Sequence, residues 1–380
     1  MLHFYLKTSK LIVLNNAIPL KKGVWRFNVE HTKHMNIQEG LYGMKKIKVL
    51  VVDDSLLFRE VISRGITLDP EIEVVAKAVD PFDARDKIEE YDPDVMICDI
   101  EMPKMNGIEF ISRLLPQHMI PIIVVSSISE AVFDAIKAGA VDFILKPDMQ
   151  ISKTVEEFIK ELITKVKVAK KSKLPERVRI IGETVSSDMK FDSSKIIAIG
   201  ASTGGTEAVF NILKQLPPNI PGIVIVQHIP PMFSRMFAER LNNQTGLKVK
   251  EANNGDYIEE GKVLVAPGDY HMRIKKTGER YRAEVFQSEK VNGHCPSVDI
   301  LFESVAREAG NKAVGVILTG MGSDGAKGLL SMRGKGARTI GQDEKSCVVY
   351  GMPRVAYDIG AVEKQTSLEN IPKLLVSMLK

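Results

Sequence analysis

Apolar residues in this chain gather into short, nearly unbroken runs, separated by stretches of helix length whose apolar positions recur three and four apart. Between Lys46 and Lys146 the runs are KIKVLVV (46–52), IEVVAKA (72–78), VMIC (95–98), PIIVVSS (121–127) and DFILK (142–146). Runs that are apolar at every position, rather than at alternate ones, suit strands covered on both faces. The amphipathic stretches Ser55 to Ile66, Pro81 to Glu90 and Ser129 to Ala138 then read as the helices that cover them. This alternation predicts a doubly wound parallel α/β sheet. A last helix, Thr154 to Lys170, turns basic at its end.

The pattern restarts further on. KIIAIG (195–200), GIVIVQ (222–227) and VGVILTG (314–320) predict a second parallel α/β/α domain, while Gly255 to His271 and Tyr281 to Gln287 look more like hairpin strands. We therefore expect an antiparallel hairpin appendage at one edge of the second sheet. Residues 169–194, rich in Lys, Arg and Ser, read as a linker. The expected organisation is an N-terminal extension at 1–44, a first domain at 45–168, the linker, and a second domain at 195–380. The extension lacks a clear period. It is read as disordered or as the product of a mis-assigned start, with Met44-Lys45-Lys46 leading directly into the first strand.

Composition narrows the class. A chain of 380 residues exceeds one typical core, and 44% hydrophobic with 26% charged residues is ordinary for a soluble globular protein. A net charge of +4 argues against a dedicated nucleic-acid binder. No apolar run is long enough to span a bilayer, and Leu11 to Leu14 is too short for a signal-peptide core. Cys98, Cys295 and Cys347 form neither a disulfide frame nor a metal-ligand spacing, which points to reduced thiols in the cytoplasm.

In the first domain polar residues sit at successive strand ends: Asp53 and Asp54, Asp99, Ser126 and Lys146. A parallel sheet brings its carboxyl ends to one edge. Three carboxylates there repel one another unless a cation joins them, and Mg²⁺ prefers such oxygen ligands. With a lysine and a hydroxyl beside them, they form a site for a phosphoryl group taken by a carboxylate nucleophile. A single Asp after a strand is usually a helix cap, and Asp54-Ser55 fits that role. The set at consecutive strand ends is what argues for function.

VVDDS (51–55), DIEMPKMNG (99–107), VVSS (124–127) and LKP (145–147) resemble the receiver domain of two-component response regulators. The resemblance implies a flavodoxin-like (βα)5 fold and phosphorylation of Asp99 by a histidine kinase. Asp53, Asp54 and Asp99 would hold Mg²⁺, Ser126 would read the phosphoryl group, and Lys146 would pair with it. Asn106 departs from the commoner Asp-Gly of that turn, where Asn is equally suited.

In the second domain Gly200-Ala201-Ser202-Thr203-Gly204 satisfies G-x-S-x-G, after a strand and before the helix-length stretch Thr206 to Leu216. That context exposes a serine hydroxyl on a sharp turn. Glycine-rich strand-to-helix turns also cradle phosphates, so this motif alone leaves hydrolase and nucleotide site open. His228, at the end of the next strand, decides for a hydrolase, because a general base must reach the nucleophile. Asp324, in TGMGSDG, supplies the third member that holds the imidazole tautomer. The order Ser…His…Asp differs from that of α/β-hydrolases. The N–H groups of Thr203 and Met321 are oxyanion-hole candidates by position.

IGASTGGTEA (199–208), QHIPPMFSRMFAERL (227–241), VLVAPGDYHM (263–272), PSVDILFESVA (296–306), VGVILTGMGSDGAKGL (314–329) and SCVVYGMPRVA (346–356) closely resemble the chemotaxis protein-glutamate methylesterases. Those enzymes join a receiver to this domain through a linker. The resemblance implies hydrolysis of glutamyl γ-methyl esters on chemoreceptors, with deamidation of receptor glutamines. It implies Ser202 as nucleophile, His228 as base and acid, and Asp324 as orienting carboxylate, with no cofactor for hydrolysis. The chemotaxis histidine kinase would be the phosphodonor, and contact with membranes would be through the receptors alone. The unphosphorylated receiver would cover the cleft. Cys295 stands where a basic residue is expected, and it lacks a strand-end histidine to make it a nucleophile. A regulator with a merely binding output domain is disfavoured by the intact Ser202, His228 and Asp324 and by the lack of a helix-turn-helix after the linker. A nucleotide-dependent enzyme is disfavoured by the lack of a Walker lysine or G-x-G-x-x-G spacing.

Overall fold

The computed structural model describes residues 45–127, 131–148, 151–173 and 190–379, together with two short strands in the first 44 residues. Those strands, β1 (Ile18–Leu20) and β2 (Val24–Arg26), pair antiparallel. The rest of the extension and residues 174–189 of the linker lie outside the described residues. The chain divides into Met1–Lys45 and Lys46–Lys380, and everything below concerns the second unit.

The first domain alternates β3 (Ile47–Val52), α1 (Leu56–Ile66), β4 (Ile72–Ala78), α2 (Pro81–Tyr91), β5 (Val95–Asp99), α3 (Gly107–Leu114), β6 (Ile122–Ser126), α4 (Ala131–Ala138), β7 (Asp142–Leu145) and α5 (Ser152–Lys171). The strands lie in the order β4-β3-β5-β6-β7, all parallel, so the doubly wound expectation holds. Local chemistry starts the helices where the pattern put them. Ser55 caps α1 by accepting from Phe58 N, and Asp80 caps α2 ahead of Pro81. Asn106 caps α3, its side chain accepting from Glu109 N at 2.8 Å, which accounts for Asn at that turn. Helix α5 continues to Lys171, slightly into the expected linker.

The second domain comprises β8 (Ile196–Ala201), α6 (Gly205–Leu213), β9 (Ile223–Gln227), α7 (Phe233–Gln244), β10 (Lys248–Glu251), β11 (Tyr257–Ile258), β12 (Lys262–Val265), β13 (His271–Thr277), β14 (Arg280–Phe286), α8 (Val298–Glu308), β15 (Ala313–Ile317), α9 (Ala326–Gly334), β16 (Arg338–Gln342), α10 (Met352–Asp358), β17 (Lys364–Thr366) and α11 (Ile371–Leu379). Seven strands form one parallel sheet in the order β10-β12-β9-β8-β15-β16-β17. One face packs on α6, α7 and α11 through Leu213, Phe233 and Leu375. The other packs on α8, α9 and α10 through Val298, Leu329 and Met352. Strand β8 is fully buried between β9 and β15, and the chain crosses from one side of it to the other. This switch in direction opens a crevice at the carboxyl end of β8.

One expectation needs correction. Gly255 to His271 does not simply supply hairpin strands: Lys262–Val265 lies inside the parallel sheet, between β10 and β9. Val263, Leu264 and Val265 are wholly buried, as an interior parallel strand requires. The antiparallel part is a separate three-stranded sheet, β11-β14-β13. It is braced on α8, where Ile274 N donates to Ser304 Oγ at 2.9 Å. Among the described residues no helix is long and apolar enough to cross a membrane.

The two domains share one apolar cluster. Phe133 of α4 stacks on Phe237 of α7 at 6.0 Å, and Phe143 of β7 lies 4.7 Å from Phe233 between ring centroids. Arg240 lays its guanidinium over Phe133 at 5.5 Å while holding Glu207 at 2.6 Å. At the rim, Thr203 Oγ1 donates to Asp142 Oδ2 at 3.0 Å. Past α5, Lys173 N donates to Val348 O at 2.9 Å. Truncating a buried Phe costs about 3–5 kcal/mol, and Phe133 spends part of its contacts across this boundary. Phe133→Ala is therefore expected to speed amide hydrogen exchange in both α4 and α7 and to enlarge the radius of gyration. Unchanged exchange in α7 would mean that the clasp does not depend on this ring.

Candidate active site

The carboxyl edge of the first sheet gathers the residues its sequence put there. Carboxylate oxygens of Asp53, Asp54 and Asp99 lie within 4.8 Å of one another, Asp53 and Asp99 buried and Asp54 exposed. Lys146 Nζ is 2.6 Å from Asp99 Oδ2 and 3.0 Å from Asp53 Oδ2. Lys146 is shared between the two carboxylates, and the buried Asp53 Oδ2 meets it as an ion pair without a hydrogen-bond partner of its own. Burial pushes the Asp99 carboxyl up to about 6, with Lys146 pulling against it and the Asp53 charge adding to it. Burial raises Asp53 as well, against the same lysine. Two buried carboxyls poorly settled as anions, one of them with an unfilled acceptor, suit a cation. Ser126 is buried at the end of β6, on the same edge. The turn after Asp99 is tight: a Cβ on Gly107 would lie 2.2 Å from Asp99 O.

In the second domain the three strand ends converge. Ser202 follows β8, half-exposed, with its N–H donating to Thr319 O at 3.0 Å. Gly204, at φ 75°, turns the chain into α6. Gly320 lies so close that a Cβ there would sit 2.6 Å from Ser202 Cβ. His228 follows β9, the neighbour of β8 on one side, and Asp324 follows β15, the neighbour on the other. His228 Nε2 meets Asp324 Oδ2 at 2.8 Å. A carboxylate only accepts, so Nε2 carries the hydrogen and Nδ1 keeps its lone pair. Nδ1 is buried without a hydrogen-bond partner, and no hydrogen bond joins it to Ser202. Ser202 and His228 are thus neighbours after adjacent strands without a hydrogen bond between them, an arrangement that a nucleophile and base commonly show before substrate arrives.

Asp324 is almost wholly enclosed, and its environment is built to keep it charged. It accepts from Ser297 Oγ at 2.8 Å, Asn292 Nδ2 at 2.9 Å, Val298 N at 2.7 Å and Asp299 N at 3.3 Å, besides His228. Ser297 is the cap of α8, so the carboxylate sits at that helix's positive end. Burial acts to raise its pKa, but the bonds from His228, Asn292 and Val298 more than offset this and hold it well below the usual carboxylate range. Such a group orients an imidazole and stabilises its charged form.

The oxyanion candidates, Thr203 and Met321, follow the carboxyl ends of the adjacent strands β8 and β15. Among the described residues neither backbone N–H has a hydrogen-bond acceptor. Cys295 is partly buried, and burial raises its thiol pKa, with the Asp269 charge acting the same way, which opposes a nucleophilic role.

Several residues around the site escaped the sequence reading. Gln227 Nε2 donates to both Ser202 O (2.9 Å) and His228 O (3.1 Å), tying the two strand ends together. Thr319 Oγ1 donates to Thr203 O at 3.0 Å. Asn292 and Ser297 satisfy Asp324, and His294 stacks on His228 with ring centroids 3.7 Å apart and planes 8° from parallel. The signals available were an Asn-Gly turn before His294 and a serine ahead of the apolar run of α8. Both mark local structure and say nothing of the neighbours they meet.

Residues 197–375 match the CheB methylesterase family, and residues 49–156 match the response regulator receiver domain. A protein-glutamate methylesterase/protein-glutamine glutaminase from Syntrophomonas wolfei is 55% identical over 336 residues, which make up 88% of this chain and 98% of that protein. The chain belongs to the CheB methylesterase family. A protein of the same name from Syntrophotalea carbinolica is 46% identical over 349 residues, again 88% of this chain and 98% of its own length. The crystal structure of the Thermotoga maritima CheB methylesterase catalytic domain is 37% identical, covering 48% of this chain and 98% of its own, at a TM-score of 0.48.

Proposed function

We propose that this protein hydrolyses glutamyl γ-methyl esters, and deamidates glutamines, on the cytoplasmic segments of chemoreceptors, under control of phosphorylation at Asp99 by a chemotaxis histidine kinase. The observation that carries this reading is the 2.8 Å bond between His228 Nε2 and the buried Asp324, formed at strand ends that flank Ser202. It leaves Nδ1 as a base directed by its own tautomer.

Ser202 Oγ attacks the side-chain carbonyl as its proton passes to His228 Nδ1. The N–H groups of Thr203 and Met321 receive the oxyanion. The proton on Nδ1 then goes to the departing oxygen, releasing methanol, or to the departing nitrogen, releasing ammonia, and leaves a glutamyl ester on Ser202. Water, deprotonated by His228, attacks that ester and returns the proton to Ser202 Oγ. The products are a glutamate and the free enzyme. Asp324 stays ionised throughout and steadies the transient imidazolium.

Mg²⁺ in the first domain would be held by Asp53, Asp54 and Asp99, where it would neutralise phosphoryl oxygens. Lys146 and Ser126 would contact the phosphoryl group carried by Asp99. Each terminates a strand tied to the domain boundary: β7 itself carries Asp142 and Phe143, and β6 precedes α4 with Phe133. A new charge at this edge has a short route to the clasp over Thr203. Thr203, beside Ser202, is tied to the first domain through its hydroxyl, which donates to Asp142, and this bond supports the reading.

Methanol release from methylated chemoreceptor membranes, with acetyl phosphate and Mg²⁺, tests the assignments. Ser202→Ala is expected to reduce turnover by about 10⁴-fold or more while receptor binding persists; turnover like that of the unaltered protein would refute the nucleophile. Asp324→Asn should reduce turnover by about 10³–10⁴-fold, since the amide favours the wrong tautomer. A loss under tenfold would point to another third member. Asp99→Asn should abolish stimulation by acetyl phosphate and leave the unstimulated rate in place, and surviving stimulation would place the phosphorylation elsewhere.

A further inference from the structure

We infer that His294 is a positioning residue for this hydrolysis: its ring is a neutral plate that holds the His228 imidazole in the plane from which Nδ1 reaches Ser202. The inference rests on the assignment of Ser202, His228 and Asp324 and adds to it a residue outside that set.

The geometry is specific. Asn292 (φ 52°) and Gly293 (φ 83°) form a two-residue turn closed by the paired hydrogen bonds between Val291 and His294, at 2.9 and 3.0 Å. Both turn residues take the left-handed conformation such a loop demands, which suits an Asn-Gly pair. The turn is anchored to the site itself, because Asn292 Nδ2 donates to Asp324 Oδ1 at 2.9 Å and to Asp299 Oδ2 at 2.8 Å. One short segment thus grips the carboxylate with its second residue and covers the imidazole with its fourth. The His294 ring lies 3.7 Å from the His228 ring and nearly parallel to it.

His228 needs that support. The ring pivots about its Cβ–Cγ bond, and the bond from Nε2 to Asp324 leaves it the small swings that a hydrogen bond's angular tolerance allows. Nδ1 makes no hydrogen bond that would add a second restraint. A flat group in van der Waals contact with one face restricts the swing without using either nitrogen. Two stacked imidazoles cannot both carry charge at this separation. Asp324 contacts His228 directly, so the proton taken from Ser202 stays there. Burial lowers His294 to about 4, and the charges of His228 and Lys290 push the same way while Asp324 opposes them. His294 remains neutral at working pH and offers its π-face to the imidazolium that forms beneath it.

The test uses the full chain with acetyl phosphate, Mg²⁺ and methylated chemoreceptor membranes. His294→Asn removes the ring but keeps a polar side chain, and His294→Phe keeps a neutral flat face. With Asn, kcat is expected to fall roughly 10- to 100-fold, the scale of a misplaced catalytic group, with little change in KM. With Phe, most of the rate should return. The low-field resonance of the His228 Nε2 proton should stay sharp in the Phe variant and broaden in the Asn variant. The inference is overturned if the Asn variant keeps the full kcat, if Phe and Asn lose equally, or if only KM rises. Should the Asn variant fail to fold, a Phe variant that folds but loses as much as 10-fold would overturn it as well. Ser202→Ala separates the two levels. Retained turnover there defeats the underlying assignment, whereas its loss beside a fully active His294→Asn defeats this inference alone.

Discussion

The second domain is organised around one buried negative charge. Asp324 has left water, and a carboxylate in that position is tolerable only when its lone pairs are filled. The donors come from two separate parts of the chain: one segment running from the Asn292 turn through the α8 cap Ser297 to the first helical N–H groups, and His228 after β9. Satisfying this group therefore draws together β15, β9, α8 and the turn before it. The same set of bonds decides which nitrogen of His228 is protonated. Structure and reactivity follow from a single electrostatic demand.

A second constraint is space. Glycines at 200, 204, 205 and 320 line the crevice where β8 meets its helix and its neighbour, and side chains at those positions would strike Val298, Val348, Gln227 or Ser202 itself. Ser202 is thus presented on a backbone that other strands approach unusually closely. In the first domain Gly107 does the same for the loop that follows Asp99. Both sites depend on close backbone approach, and both stand at the carboxyl edge of a parallel sheet.

Much of this was legible in the chain. Strands buried on both faces announce themselves as unbroken apolar runs, and polar residues just beyond them fall on one edge by topology alone. Ser202, His228 and Asp324, like Asp53, Asp99 and Lys146, are brought to those edges by their places just after the strands. Lys262–Val265 was misread because a four-residue run in a glycine-rich neighbourhood looks alike in a hairpin and in a parallel sheet until its partners are known. His294, Asn292 and Gln227 were missed for a related reason, since nothing local distinguishes a turn residue that meets a catalytic side chain from one that meets water. Phe133 and Phe143 lie in an amphipathic stretch and an apolar run of the first domain, and only with α7 in place do their contacts across the boundary show.

The aromatic seam between the domains has a thermal consequence. Parting them along Phe133, Phe143, Phe233 and Phe237 moves apolar surface into water, so the opened form has the larger heat capacity. The force that keeps the seam shut is weakest in the cold, where apolar hydration is least unfavourable. The clasp therefore loosens on cooling, and the share of molecules with the two domains parted becomes a function of temperature.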